Sequence, residues 1–241
     1  MELVIDRGNT RTKWAIFDTG VISSSGSFLN DEGVPARFEQ LDEAVPTIIC
    51  SVSDIRSSLS RWLDARDNVR YFDRDSIMPI TSLYETPETL GLDRMANVVA
   101  ASNLFPGKNA LVIDAGTCIT LDLIDANGVY QGGVISPGLG MRAKALNNYT
   151  EALPLVELSE PKHLVGRNTE QSMMSGIMNG TVAEVAGLVH RFEQEFLGLK
   201  IIVTGGDMKW FEHVLKSETF ADAFFTLKGL HAILQHDRNE N

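Results

Sequence analysis

One short unit occurs twice in this chain. Leu3-Val4-Ile5-Asp6-Arg7-Gly8-Asn9-Thr10 is followed by Lys13-Trp14-Ala15-Ile16-Phe17-Asp18. Leu111-Val112-Ile113-Asp114-Ala115-Gly116-Thr117 is followed by Ile119-Thr120-Leu121-Asp122-Leu123-Ile124-Asp125. In each copy a run of Val, Ile and Leu reads as a buried strand, Asp-x-Gly as a turn, and the second apolar run as a returning strand. A single hairpin with an Asp-Gly turn is a common pairing. Two matched copies predict two similar lobes, each opening with the same device.

The device has a physical logic. Glycine lets backbone N–H groups come close to an anion. Thr and Asn side chains add donors, and an Asp at a strand end can hold a cation directly or through water. Two such turns facing one another would clamp a polyphosphate and its metal.

The remaining chain alternates strands and helices. Thr47 to Val52 reads as a buried strand, Ser53 to Ala65 as a helix through Ile55, Leu59 and Leu63, and Val69 to Phe72 as a short strand. Arg94 to Phe105 reads as a helix with Met95, Val98, Val99 and Ser102 on one side. Thr169 to Leu197 is a long helical stretch whose apolar line runs Met173, Ile177, Val185, Leu188, Val189, Phe192 and Phe196. Asn168 and Gln171 resemble a capping pair at its start. Gly176 and Gly180 share one face and permit close approach of another helix. Lys200 to Asp207 is a strand running into a Gly205-Gly206 turn, followed by a helix through Trp210, Val214 and Leu215. The polar tail from Asp237 to Asn241 is expected to fray.

Charge narrows the partners. The net charge of the 241 residues is -11, and an acidic protein repels nucleic-acid backbones and anionic lipid. ATP is an anion too, so a site for it must be built locally. Cys50 and Cys118 make neither a disulfide framework nor a metal spacing, and they read as reduced thiols of a cytoplasmic protein. No histidine pair sits at ligand spacing. The opening residues do not read as a signal peptide, and no apolar run is long enough to span a membrane.

Other nucleotide signatures fit poorly. No G-x-x-x-x-G-K-[ST] occurs, which excludes a P-loop, and no G-x-S-x-G occurs. Gly138-Leu139-Gly140-Met141-Arg142-Ala143 matches the dinucleotide fingerprint loosely, but Ser136-Pro137 precedes it where a strand end belongs. Gly205-Gly206 is either a nucleobase shelf or a plain turn. Asp93, in Gly91-Leu92-Asp93-Arg94, is either a helix-capping acid or the carboxylate that takes a proton from an acceptor alcohol. Arg94 can hold an anionic group, and Tyr84 is core, surface or pocket.

Together these segments resemble a family. Asp6-x-Gly8-Asn9-Thr10 and Asp114-x-Gly116-Thr117 look like the two phosphate motifs of the actin, hexokinase and heat-shock chaperone ATPase superfamily. Gly91-x-Asp93-Arg94, Gly132-Gly133-Val134-Ile135-Ser136-Pro137-Gly138, Gly166-Arg167-Asn168-Thr169 and Gly205-Gly206-Asp207 are similar to segments of the type III pantothenate kinases. The resemblance implies an α/β fold of two actin-like, RNase H-like lobes, 1–108 and 109–241, each a mixed sheet flanked by helices, with the ATP cleft between them. It implies ATP-dependent phosphorylation of pantothenate to 4′-phosphopantothenate, the first step of coenzyme A synthesis. It also implies Mg²⁺, an activating potassium or ammonium ion, and a homodimer. By the same resemblance Asp6 organises Mg²⁺, and Asp6, Arg7, Gly8, Asn9, Thr10, Arg11, Thr12 and Lys13 wrap the triphosphate, with Thr117 on a phosphate. Asp93 is the general base. Tyr84, Gly91, Leu92, Asp93 and Arg94 line the pantothenate site, Thr169 reaches it from the partner subunit, and Asp114 binds the monovalent cation. Two alternatives stay open: a regulatory protein like the Bvg accessory factors, and a kinase of the same superfold with another small substrate.

Overall fold

A computed structural model describes residues 1–51, 58–211 and 219–240. In chain order the elements are β1 (Glu2–Arg7), β2 (Arg11–Asp18), β3 (Val21–Leu29), α1 (Ala36–Glu39), β4 (Thr47–Ser51), α2 (Ser58–Asp64), β5 (Val69–Phe72) and β6 (Thr81–Ser82). A 3₁₀ turn at Pro87–Thr89 leads into α3 (Leu92–Leu104). Then come β7 (Ala110–Ala115), β8 (Cys118–Ile124), β9 (Val129–Pro137), α4 (Leu139–Asn148), α5 (Thr169–Glu195), β10 (Lys200–Thr204), a 3₁₀ turn at Met208–Trp210, β11 (Thr219–Ala221) and α6 (Phe225–Glu240). The parts of the expected elements at 52–57, and at Val214 and Leu215, lie outside the described residues.

The chain forms two units. The first joins Met1–Leu104 to Phe224–Asn241, and the second is Phe105–Ala223. The division therefore falls after Leu104, and the last helix joins the first unit, not the second as the sequence suggested. The reason is packing: Leu227, Leu230, Ile233 and Leu234 of α6 are buried against Ala96 and Val99 of α3 and against Val4, Phe17 and Ile48 of the sheet.

The first sheet has the order β3-β2-β1-β4-β5, antiparallel through β3, β2 and β1 and parallel through β1, β4 and β5. Strand side chains alternate between faces. Val4 meets α3 and α6, while Leu3 and Ile5 meet Phe38, Leu59 and Leu63 of α1 and α2. In the second unit the order β9-β8-β7-β10-β11 repeats this plan strand for strand. Leu111, Ile113, Ile201 and Val203 of that sheet are buried with Val185 and Val189 of α5. The N-terminal half of α5 packs Met173, Ile177 and Met178 on Leu139 and Ala143 of α4. Among the described residues no helix is long and apolar enough to cross a membrane.

The repeat read from the sequence extends to burial. β1 and β7 are both six residues long, and in each only the fifth, Asp6 or Asp114, is less than fully buried. Two expectations need correction. β9 does run through Pro137 and α4 follows it, so the loose dinucleotide match has both a strand and a helix. That strand is antiparallel to β8, however, which differs from the parallel crossover of a dinucleotide-binding unit. The tail does not fray at Asp237 either. α6 continues to Glu240, with Asp237 2.8 Å from Arg70 Nε and Arg238 2.6 Å from Glu2 Oε1.

Glu2 is the anchor of that end of α6. Its carboxylate accepts from Arg238 and Gln235 and lies 2.8 Å from His231 Nε2, while the His231 ring stacks on Phe17 at 3.9 Å. Burial alone would raise the Glu2 carboxyl, but the hydrogen bonds from His231 and Gln235 and the nearby His231 and Arg238 charges outweigh it and hold it below the ordinary range. A depressed carboxyl stabilises the folded state above its unfolded pKa, and that contribution fades as pH falls through the folded value. We expect Glu2→Gln to cost about 2 kcal/mol at neutral pH. In thermal melts across pH, the gap between wild type and variant should narrow below the ordinary glutamate range.

Candidate active site

In the first unit Asp6 sits at the carboxyl end of the central strand, opposite Lys13 on β2 and Cys50 on β4. The chain then turns through Gly8, Asn9 and Thr10. The Gly8 N–H donates to Arg11 O at 3.1 Å and closes the turn. Asn9, Thr10 and Arg11 are exposed, and Asp6 and Lys13 are half-buried. Arg7 and Thr12 are buried, and the Thr12 hydroxyl donates to Asn30 Oδ1 at 2.8 Å. Arg11 donates to Ser27 Oγ. Within 6–13, then, the exposed surface comes from Asn9, Thr10 and Arg11, while Arg7 and Thr12 support the turn from within.

The same unit brings Asp93 to this strand end. α3 begins at Leu92, so Asp93 lies in its first turn, where Oδ1 accepts from the Arg94 N–H at 2.9 Å. An acid there suits the positive end of the helix dipole. Cys50, 1% exposed, has its thiol pushed far above its ordinary range by burial first, and then by the carboxylates of both Asp6 and Asp93. The thiol stays protonated, and the two acids share its neighbourhood. Arg94 is 5% exposed, and its guanidinium carbon lies 5.5 Å from the Tyr84 ring centroid. Leu92 packs at the edge of the core shared by α3 and α6. Asp6, Lys13, Asp93, Arg94, Tyr84 and Gly91 thus belong to one unit, with a carboxylate at the head of a helix and a cation stacked near an aromatic ring.

The second unit carries a turn of different construction. Asp114 stands opposite Thr120 on β8 and Thr204 on β10. Gly116 donates to Cys118 O at 2.9 Å, leaving Thr117 exposed at the tip. Two glycines are required around it. Gly138, whose N–H donates to Thr117 O, would carry any Cβ to 2.3 Å from the Gly116 and Thr117 carbonyl oxygens. Gly205 has φ +94°, and a Cβ on it would meet Ala115 O at 2.3 Å and Asp114 Oδ1 at 2.6 Å. The Asp207 N–H donates to Ala115 O at 2.9 Å, and burial raises the Asp207 carboxyl against an opposing pull from Lys209. Asp114–Thr117, Pro137-Gly138 and Gly205–Asp207 therefore meet at one strand end.

A charged clamp holds the middle segment. Arg142 donates through Nε to Pro137 O and through Nη2 to Ser136 Oγ, and lies 2.7 Å from Glu184 Oε2. Ser136 donates to Glu184 Oε1 at 2.5 Å. Burial would raise the Glu184 carboxyl, but bonds from Ser136 and Arg142 together with the Arg142 charge hold it low. Thr169, exposed, opens α5, with Asn168 accepting from the Gln171 N–H and Gln171 accepting from the Arg167 N–H. It lies in the second unit, apart in sequence and unit from Tyr84 and Asp93. Sequence reasoning missed Asn30, Arg142 and Glu184. Each acts on a motif from another element, and only the polarity of Glu184 within the otherwise apolar run 182–189 hinted at any of them.

Comparisons with known proteins bear on family and fold. A family model described as type III pantothenate kinase matches residues 2–191. A type III pantothenate kinase of Christiangramia forsetii is 41% identical over 244 residues, covering 100% of both chains. Among solved structures, a Baf family transcriptional activator from Campylobacter jejuni aligns with a TM-score of 0.63 at 19% identity, over 98% of this chain and 99% of that one. A 2-dehydro-3-deoxygalactonokinase from Sinorhizobium meliloti aligns with a TM-score of 0.61 at 12% identity, over 100% of this chain and 99% of that one. These structural likenesses establish the fold, an actin- and hexokinase-like ATPase fold of two mixed sheets flanked by helices.

Gly138→Ala tests the close approach in the second turn. Its φ is ordinary, so the effect is purely steric. We expect a loss of about 1–3 kcal/mol, read as a fall in Tm of roughly 2–4 °C per kcal/mol.

Proposed function

The chain belongs to the type III pantothenate kinase family, which phosphorylates pantothenate with ATP at the start of coenzyme A synthesis, and we propose that the two strand-end turns and Asp93 carry out that transfer here. The observation that carries this reading is that Asp6, paired across the sheet with Cys50, and Asp93, next to the Leu92 that packs on the core containing Cys50, belong to one unit. It sets a carboxylate suited to an acceptor hydroxyl beside the strand end suited to phosphate.

In this reading the backbone of 8–11 and the Lys13 ammonium take the triphosphate, and Thr117 takes a phosphate. Asp93 accepts the proton that the primary alcohol of pantothenate loses as its oxygen attacks the γ-phosphorus. Arg94 holds the pantothenate carboxylate, with Tyr84, Gly91 and Leu92 shaping the site. Phosphoryl transfer needs positioning and charge neutralisation more than covalent chemistry, and these residues supply the first.

Metal use fits the donor set. Among the described residues no three His, Cys, Asp or Glu side chains gather to cage an ion. Mg²⁺ keeps its waters and binds through one or two carboxylates plus phosphate oxygens. Asp6 is the carboxylate that would hold it, and the ion would supply charge neutralisation at the phosphates. Asp114, half-buried beside Gly205, is the ligand proposed for potassium or ammonium. The homodimer is proposed to form across α5. There Gly176, Gly180, Ala183 and Gly187 are exposed on one face, and no neighbouring atom lies within reach of a Cβ at the glycines. Thr169 opens that helix and would serve the partner's substrate. A cytoplasmic location is proposed with this reading, since both substrates are small soluble metabolites.

The reading is tested by ADP release with pantothenate against sugars, acetate and no acceptor; only pantothenate should stimulate it. Asp93→Asn should fold normally and turn over about 10²–10⁴ times more slowly, measured as kcat. Near-normal turnover would remove Asp93 from its role. Exchanging potassium and ammonium for a bulky organic cation should slow turnover, and an Asp114→Asn variant should lose that dependence.

A further inference from the structure

Asn30, immediately after β3, belongs to neither phosphate motif, yet it makes three hydrogen bonds to the turn between β1 and β2. Its backbone N–H donates to Thr10 O at 3.1 Å. Its side-chain Nδ2 donates to Gly8 O at 2.8 Å. Its Oδ1 accepts from the Thr12 hydroxyl at 2.8 Å. The side chain is half-buried, and Thr12 is wholly buried. Gly8 O needs a donor and Thr12 Oγ1 needs an acceptor, and a short side-chain amide supplies both at once.

The pattern of what is used and what is left has a direction. The carbonyls of Gly8, Thr10 and Arg11 are each engaged by protein donors. Among the described residues the N–H groups of Asn9 and Thr10 donate to no protein acceptor. A loop that receives an anion must turn its N–H groups to the ligand and its carbonyls away. Asn30 enforces that division by capturing two of the three carbonyls.

We propose that Asn30 is a positioning residue for ATP: it presets the turn at 8–12 so that its N–H groups meet the triphosphate without reorganising. The proposal rests on the reading of this turn as the phosphate loop. It also explains why an amide is needed. Aspartate has nearly the same shape, but it would set a carboxylate oxygen against Gly8 O and add a negative charge beneath a loop meant for a polyanion.

The test separates ATP from pantothenate. Asn30→Asp should raise the KM for ATP about tenfold or more, the worth of a hydrogen bond to a charged group. The KM for pantothenate should stay within about twofold, because Tyr84 and Arg94 lie on other elements. Thr12→Val keeps the shape and removes only the hydroxyl that orients the amide; it should raise the KM for ATP in the same direction and by less. Calorimetric binding of a non-hydrolysable ATP analogue without pantothenate should weaken in parallel. An ATP KM unchanged in both variants would overturn the proposal. So would equal losses for both substrates alongside a falling Tm, because that pattern marks a merely structural residue. If wild-type protein released no ADP with pantothenate, the functional reading would fall, and analogue binding by the two variants would still decide the role of Asn30.

Discussion

β1 and β7 are each hydrogen-bonded along both edges, and that double pairing holds the chemistry in place. An antiparallel partner on one side and a parallel partner on the other leave the central strand no freedom to slip. Every residue of it except one is buried, and the exception in both units is the aspartate before the turn. The backbone that carries each carboxylate is fixed by two ladders of hydrogen bonds. Preorganisation of this kind costs nothing at the moment a ligand binds.

The units then solve one geometric problem in two ways. Both must turn a chain back within a few residues while keeping its carbonyls away from the tip. The first uses a side chain, Asn30, reaching in from a neighbouring strand. The second uses backbone contact, with Gly138 and Gly205 pressed against the carbonyls of 115–117 and the Asp207 N–H taking one of them. Arg142 and Glu184 stiffen the segment that does the pressing. A side-chain strut tolerates small rearrangement of its loop, whereas glycine-on-carbonyl contact does not.

Much of this could be read from residues alone. The duplicated Asp-x-Gly hairpins were visible because buried aliphatic strands and their turn residues are both local signals. So were the strand at 200–204 and the cap formed by Asn168 and Gln171. β3 escaped notice because Ser23, Ser24, Ser25, Gly26 and Ser27 have little β-propensity and the strand is held by pairing with β2. β9 was hidden by Gly132 and Gly133. α3 showed one apolar stripe in the sequence, yet Ala96, Asn97, Ala100 and Ala101 are buried too, since it packs against both α6 and the sheet. Asn30 and Glu184 act across 22 and 48 positions, a distance at which no periodicity reports.

The route of the chain also orders events in time. Residues 105–223 form a contiguous unit, whereas the first unit is interrupted by it and is closed only by α6. A ribosome delivering residues in sequence presents the whole second unit before the helix that covers Val4, Phe17 and Ile48 exists. Domains fold as units as they emerge. The half of the molecule bearing Asp6 and Asp93 is therefore begun first and finished last, with an apolar sheet face waiting for its cover throughout.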